Sequence, residues 1–221
     1  MKYKYILFDL DGTITESGPG IMNSVEYALG KMNREVGDRE TLKNFIGPPL
    51  TDSMEKYYGM SEEEALLGVK YYREYYAVKG IFENSVYEGL AETLEALKEE
   101  GYVLAVATSK PEEYAKRIAD KFDFAKYFVG IYGATMDGSL IRKADVIRYA
   151  LDDLGVSKED YDQVVMVGDR NNDIFGAKEN RLKVIGVLYG YGDLEELQSA
   201  GADDIAETPE DIARIIRKME S

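Results

Sequence analysis

Short apolar runs rich in β-branched residues alternate along the chain with longer segments whose apolar positions recur every three or four residues. That alternation predicts a parallel sheet covered by helices. The expected strands are Tyr5 to Phe8, Val103 to Thr108, Phe128 to Tyr132, Val164 to Gly168 and Val184 to Leu188. Helices are expected over Gly89 to Glu100, stopped by Gly101, over Pro111 to Phe122, with proline in the first turn, and over Lys143 to Leu154, stopped by Gly155. A final helix is expected from Pro209 to Met219, with Thr208 at its N-cap.

Between Ser17 and Ile81 only helical periodicity remains. Ile21, Val25, Ala28, Leu29 and Met32 form one apolar stripe, and Leu66, Val69, Tyr72, Tyr75 and Tyr76 a second. Ser61 followed by Glu64 has the spacing of a capping box, and Gly47-Pro48-Pro49 breaks the helical pattern. The pattern predicts a helical insert after the first strand, with no internal repeat or long linker.

Composition narrows the chemistry. The 221 residues include neither cysteine nor histidine, which excludes thiolates, imidazole bases and the usual zinc ligands. Catalysis would rest on carboxylates, hydroxyls, lysines and a hard metal. A net charge of −15 disfavours nucleic-acid backbones and anionic membranes, both polyanions. No apolar run is long enough to span a bilayer, and Asp9 interrupts the short one near the N-terminus, which therefore reads as a strand and not a signal peptide. A cytoplasmic enzyme is the expectation; no pattern fixes an oligomeric state.

Successive strand ends carry groups that chemistry can use. Asp9-Leu10-Asp11-Gly12-Thr13 follows the first strand and puts two acids where open parallel sheets bind ligands. Carboxylates so close repel unless a cation or a proton is shared; the same residues read equally as a turn capped by Asp9. Thr108 and Ser109 suit phosphate oxygens at a helix N-terminus, and Ser109 with Glu112 also has capping-box spacing. Lys143 stands at a helix start, where a cation opposes the dipole, so it is either functional or simply solvated. Asp169 and Asp173 face one side if their turn becomes helical at once; taken alone they read as an N-cap and an exposed helix acid.

In this order, Asp9-Leu10-Asp11-Gly12-Thr13, Thr108, Lys143 and Gly168-Asp169 with Asp173 match the four motifs of the haloacid-dehalogenase superfamily of phosphohydrolases, which the chain resembles over its whole length. Within it the chain is most similar to phosphoglycolate phosphatase-like enzymes, a likeness to which Ala107-Thr108-Ser109-Lys110-Pro111 and Gly186 to Gly192 add. The resemblance implies an α/β fold: a Rossmann-like three-layer parallel sheet core, the phosphatase core domain of residues 1–16 and 82–221, and an inserted all-helical cap domain of residues 17–81. It implies a magnesium-dependent phosphatase acting on a small phosphorylated metabolite through an aspartyl-phosphate. Asp9 would be the nucleophile and Asp11 the acid and base. Asp9, the backbone carbonyl of Asp11 and Asp169 would hold Mg2+, with Asp173 coordinating directly or through water, while Thr108, Ser109 and Lys143 would bind the phosphate, Lys143 also neutralising Asp9. Four carboxylates would repel a phosphate dianion, so the metal, Lys143 and a protonated Asp11 are needed together.

Departures from relatives refine this. A chain without histidine is disfavoured as one of the superfamily's sugar-phosphate mutases, and Asp11 sets it apart from the dehalogenases, which lack the second acid. Phosphonate hydrolases use a cap lysine, and nothing distinguishes Lys31, Lys43 or Lys56 from surface lysines. Phosphoglycolate is the first substrate expected, ahead of nucleoside monophosphates and pyrophosphate. Gly47, Pro48 and Pro49 read as a substrate-selecting cap loop or as a helix connection. Tyr71, Tyr72, Tyr75 and Tyr76 are expected to pack the cap, whereas Tyr189 and Tyr191 are better placed for the site or for packing against the cap. A phospho-receiver module also combines acids, a hydroxyl and a lysine, but its acceptor Asp sits on a different strand from its acidic pair.

Overall fold

The apolar runs lack polar alternation because both of their faces are covered, as parallel sheets require. A computed structural model describes residues 2–220. Its regular elements begin with β1 (Tyr5–Phe8), β2 (Thr15–Glu16), α1 (Gly18–Lys31), α2 (Leu50–Tyr58), α3 (Glu62–Tyr76) and β3 (Ser85–Val86). There follow α4 (Leu90–Glu99), β4 (Val103–Pro111), α5 (Glu112–Lys121), β5 (Gly130–Ala134), α6 (Lys143–Asp153) and β6 (Val164–Gly168). The chain closes with α7 (Asn171–Glu179), β7 (Lys183–Val187), α8 (Leu194–Ala200), β8 (Asp204–Ala206) and α9 (Pro209–Glu220). Two compact units result, one of the residues through Thr15 and from Val86 onward, the other Glu16–Ser85.

In the first unit six strands pair in parallel in the order β5-β4-β1-β6-β7-β8. Leu7, Ala105, Ala107, Val164, Met166 and Val184 enter one apolar cluster with Val146, Ile147 and Leu151 of α6 and Ile174 of α7. The alternate residues Ile6, Phe8, Leu104, Val106, Val165 and Val167 are buried as completely. Each larger side chain withdrawn from water in this way contributes about 1.5–3 kcal/mol. Helices therefore flank the sheet, with α6 on β4 and β5, α7 on β6 and β7, and α4 packed on β4 and on α9.

Strand order reverses at β1, which has β4 on one side and β6 on the other, making it the switch point where such sheets bind ligands. Phe8 lies opposite both Val106 and Val167, so Asp9 leaves β1 at the level of Ala107 in β4 and Gly168 in β6. Past Asp9 it turns sharply. Gly12 adopts φ 82°, a conformation that glycine alone takes without strain, and the amides of Ile14 and Thr15 both donate to the Leu10 carbonyl at 2.9 Å.

The second unit is helical. Ile21, Val25, Ala28 and Leu29 of α1 are buried as their spacing predicts, and Ser61 closes a capping box with Glu64 at the start of α3. The α3 stripe differs from expectation: Ala65, Gly68, Tyr72 and Tyr76 face inward, while Leu66 is exposed. The cause is close packing. A Cβ on Gly68 would lie 2.4 Å from the Met54 sulfur, so the bare Gly68 gives the Met54 side chain the place it occupies between α2 and α3. Tyr72 and Tyr76 are stacked, 5.1 Å between ring centroids, inside this core.

Strand and helix ends shift by a few residues. β4 runs on to Pro111 with an irregular register after Thr108, so proline precedes α5 and does not lie in its first turn. β5 starts at Gly130 because a 3₁₀ turn occupies Ala125–Tyr127. β8 has only three residues, too few for any alternation to show. No described helix is long and apolar enough to cross a membrane.

Candidate active site

Asp9 directly follows β1, and its amide donates to the Val167 carbonyl at 2.9 Å, so the strand ladder itself fixes the position of this residue. Asp169 directly follows β6, and α7 starts so soon afterwards that Asp173, in its first turn, folds back to accept from the Arg170 amide at 3.0 Å. Asp173 is therefore buried and not the exposed helix acid that its spacing also allowed, and Arg170, not Asp169, stands at the N-cap of α7. Asp9, Asp169 and Asp173 are all buried, with one carboxylate oxygen from each lying within 4.8 Å of the others. Thr13 donates to Asp169 Oδ1 at 3.3 Å and the Tyr191 amide to its Oδ2 at 2.8 Å. A Cβ on Gly12 would lie 2.1 Å from that same oxygen.

Lys143 explains its own misplacement at a helix start. As the first residue of α6 it sends its side chain inward, where Nζ pairs with Asp9 Oδ1 at 2.7 Å and Asp173 Oδ1 at 2.8 Å and donates to the Ala107 carbonyl at 3.1 Å. Its stem passes Gly176 of α7, where a Cβ would come within 2.6 Å of the lysine Cγ. Burial works against the ammonium, but Asp173 and Asp9 outweigh it and raise the lysine above its ordinary range. Burial, then the charges of Asp173 and Asp9, raises Asp169 well above the usual carboxylate range. Burial and Asp9 push Asp173 up to about 6, against the pull of Lys143. Three carboxylates thus face one ammonium, an excess of negative charge in a buried place.

Asp11 has a different partner. Its Oδ2 pairs with Lys110 Nζ at 2.8 Å, both side chains nearly enclosed, while no described group hydrogen-bonds its buried Oδ1. Thr108 is buried within β4, just before its register becomes irregular, and its hydroxyl accepts from the Lys110 amide at 3.2 Å, which leaves its own proton to donate. Ser109 is half-buried and does not cap α5; Glu112, its expected capping-box partner, accepts from the Gly133 amide instead, at 3.3 Å. The Tyr189 hydroxyl donates to the Thr13 carbonyl at 3.0 Å, with its ring edge-on to Tyr87. Gly47, Pro48 and Pro49 lie in the second unit, where they separate a 3₁₀ helix over Arg39–Phe45 from α2.

The structure thus brings Asp9, Lys143, Asp169 and Asp173 into direct contact or close approach, and gives Asp11 a lysine that the motifs did not single out. The signal for Lys110 was present: Thr108 and Lys110 are two apart, so an extended chain puts them on one face. Arg170 and the Asn171 amide both bond to Glu196 Oε1 at 2.9 Å, a brace for the Asp169 turn that no spacing reveals.

The profile of the haloacid dehalogenase-like hydrolases matches residues 6–187. The chain belongs to that family. A 5′-nucleotidase of Pseudomonas aeruginosa is 43% identical over 199 residues, covering 90% of this chain and 89% of that protein. The tyrosine-protein kinase PtkA of Mycobacterium tuberculosis is 38% identical over 85% of this chain, which spans only 62% of the kinase. Phosphoglycolate phosphatases match at lower identity. A crystal structure of a predicted phosphatase from Clostridium acetobutylicum superposes with a TM-score of 0.94 at 45% identity, covering 99% of this chain and all of that one.

Proposed function

We propose that the protein is a magnesium-dependent phosphomonoesterase that works through an aspartyl-phosphate on Asp9. The observation that carries this reading is the excess of buried negative charge around Lys143, a set of hard oxygen donors that one divalent cation would balance. Asp9, Asp169 and Asp173, with the backbone carbonyl of Asp11, would hold the cation. When bound, it would neutralise phosphate charge and orient the phosphoryl group.

The chain's own residues supply the remaining steps. Asp9 attacks phosphorus while Asp11 gives a proton to the departing oxygen; Asp11 then takes a proton from the water that releases phosphate from Asp9. Thr108 and the Ser109 amide hold phosphate oxygens, and Lys143 screens Asp9 from the incoming dianion. Residues 1–16 with 82–221 form the catalytic core in this reading, and 17–81 a cap whose Gly47, Pro48 and Pro49 select the substrate. A cytoplasmic setting fits a chain without cysteine.

Two substrate classes have support. The nucleotidase relative, the more similar in sequence, favours nucleoside 5′-monophosphates, and the resemblance through Ala107 to Pro111 and Gly186 to Gly192 favours phosphoglycolate. Ranking kcat/KM over nucleoside monophosphates, phosphoglycolate, pyrophosphate and phosphotyrosine decides between them. Equal, low values throughout would refute a dedicated role for either.

Removing the cation tests the charge argument. Asp173 is pushed up to about 6, above its unfolded value, so without metal it favours the fold at low pH and this contribution is lost as pH rises through about 6; Asp169, also raised by burial, acts in the same direction. Mg2+ is therefore expected to raise Tm more at neutral pH than at about pH 5, since cation and protons compete for the same oxygens. At saturation near a hundredfold excess over Kd the gain is about 2.7 kcal/mol, or roughly 5–10 °C for a chain this size. Thermal unfolding with Mg2+ or chelator at both pH values checks it; a shift that ignores pH would contradict it. Lys143→Met should cost about 3–5 kcal/mol in chelator, measured by urea unfolding, because it leaves buried carboxylates unpaired. Mg2+ should recover part of that loss.

A further inference from the structure

Lys110 has no place in the chemistry described so far, yet it is one of the buried lysines of the first unit. Its side chain is 4% exposed and its partner's 10%, and a lysine is enclosed to this degree only when paired. The ion pair is asymmetric. Lys110 Nζ holds Asp11 Oδ2 at 2.8 Å, while Oδ1 is buried with no hydrogen-bond partner among the described residues. The lysine is itself fixed, because β4 continues past Thr108 and the Lys110 amide donates to the Thr108 hydroxyl.

We infer that Lys110 is a positioning residue for the acid–base step: it clamps Asp11 by Oδ2 and so presents Oδ1 to the reacting oxygens. The inference rests on the phosphatase reading and adds a residue to it. In the first step the Oδ1 proton passes to the leaving oxygen as its bond to phosphorus breaks and the Asp9 oxygen bonds to phosphorus. In the second, Oδ1 takes a proton from water as the water oxygen bonds to phosphorus and the bond to Asp9 breaks. Lys110 keeps its protons throughout, and its bond to Oδ2 is compatible with either state of Oδ1. By holding one rotamer it confines Asp11 to the orientation from which transfer is productive.

In the first step, the one that kcat/KM reports, a residue acting this way matters only where the leaving oxygen needs a proton. An alkyl phosphate does; p-nitrophenyl phosphate does not, because p-nitrophenolate is a stable anion. For Lys110→Met with saturating Mg2+, kcat/KM on an alkyl phosphate is expected to fall on the order of 10²-fold, and on p-nitrophenyl phosphate by less than about threefold. Lys110→Arg should restore most of the loss. In an Asp11→Asn background Lys110→Met should cost almost nothing further, since the two act as one unit. Lys110→Gln, which keeps most of the volume, is expected to show the same split and serves if the methionine variant does not fold. Equal losses on both substrates, or an undiminished loss in the Asp11→Asn background, would overturn the inference. Those outcomes differ from failure of the phosphatase reading itself, which would appear as wild-type enzyme without turnover of any phosphomonoester, or as Asp9→Asn with its rate intact.

Discussion

Asp9→Asn is expected to reduce turnover by on the order of 10⁴-fold or more, because an amide cannot attack phosphorus and no neighbouring group can replace it. The fold should survive. Asp9 raises both Asp169 and Asp173 by like-charge repulsion, so a neutral residue there relieves strain in the cluster, and Lys143 keeps Asp173 as a partner. Turnover of p-nitrophenyl phosphate, read beside the thermal midpoint, separates loss of chemistry from loss of structure. An unchanged rate would remove Asp9 from the mechanism.

Asp11→Asn is expected to lower kcat by roughly 10²–10⁴-fold, the usual scale of general acid–base catalysis. Its effect should depend on the step observed. With a leaving group that needs no proton, attack by Asp9 proceeds, and only the hydrolysis of the intermediate is blocked. With an alkyl phosphate both steps suffer. Comparing the pre-steady-state and steady-state rates on the two substrate types checks this, and a uniform loss in both phases would reassign the acid and base to another residue.

Much of this was legible in the chain, for physical reasons that differ from residue to residue. β1 and β6 matched their expected bounds because buried parallel strands write themselves as unbroken apolar runs. Asp9 and Asp169 were visible because each stands directly after such a run, so their location follows once the strands are known. Lys143 was visible through a local conflict, a cation at the positive end of a helix, which the two buried carboxylates resolve. Lys110 was not singled out, because its partner is nearly a hundred residues away in sequence and only the pairing of β1 with β4 brings the two together. The α3 stripe is borne out at Tyr72 and Tyr76 but not at Leu66, for a related reason. Periodicity finds large apolar residues, but the inward face at the start of α3 is made by Ala65 and Gly68, small residues that carry little hydrophobic signal. β8 escaped notice because three residues at a sheet edge are defined by pairing with β7 and not by composition.

The central claim, that phosphate leaves the substrate on Asp9, is tested most directly by mixing Asp11→Asn enzyme and Mg2+ with p-nitrophenyl phosphate and quenching in acid within one turnover. The expected result is a burst of close to one p-nitrophenolate per active site, with one phosphoryl group recovered on the peptide that contains Asp9. A phosphoryl group on any other residue, or steady turnover with neither burst nor phosphopeptide, would contradict it.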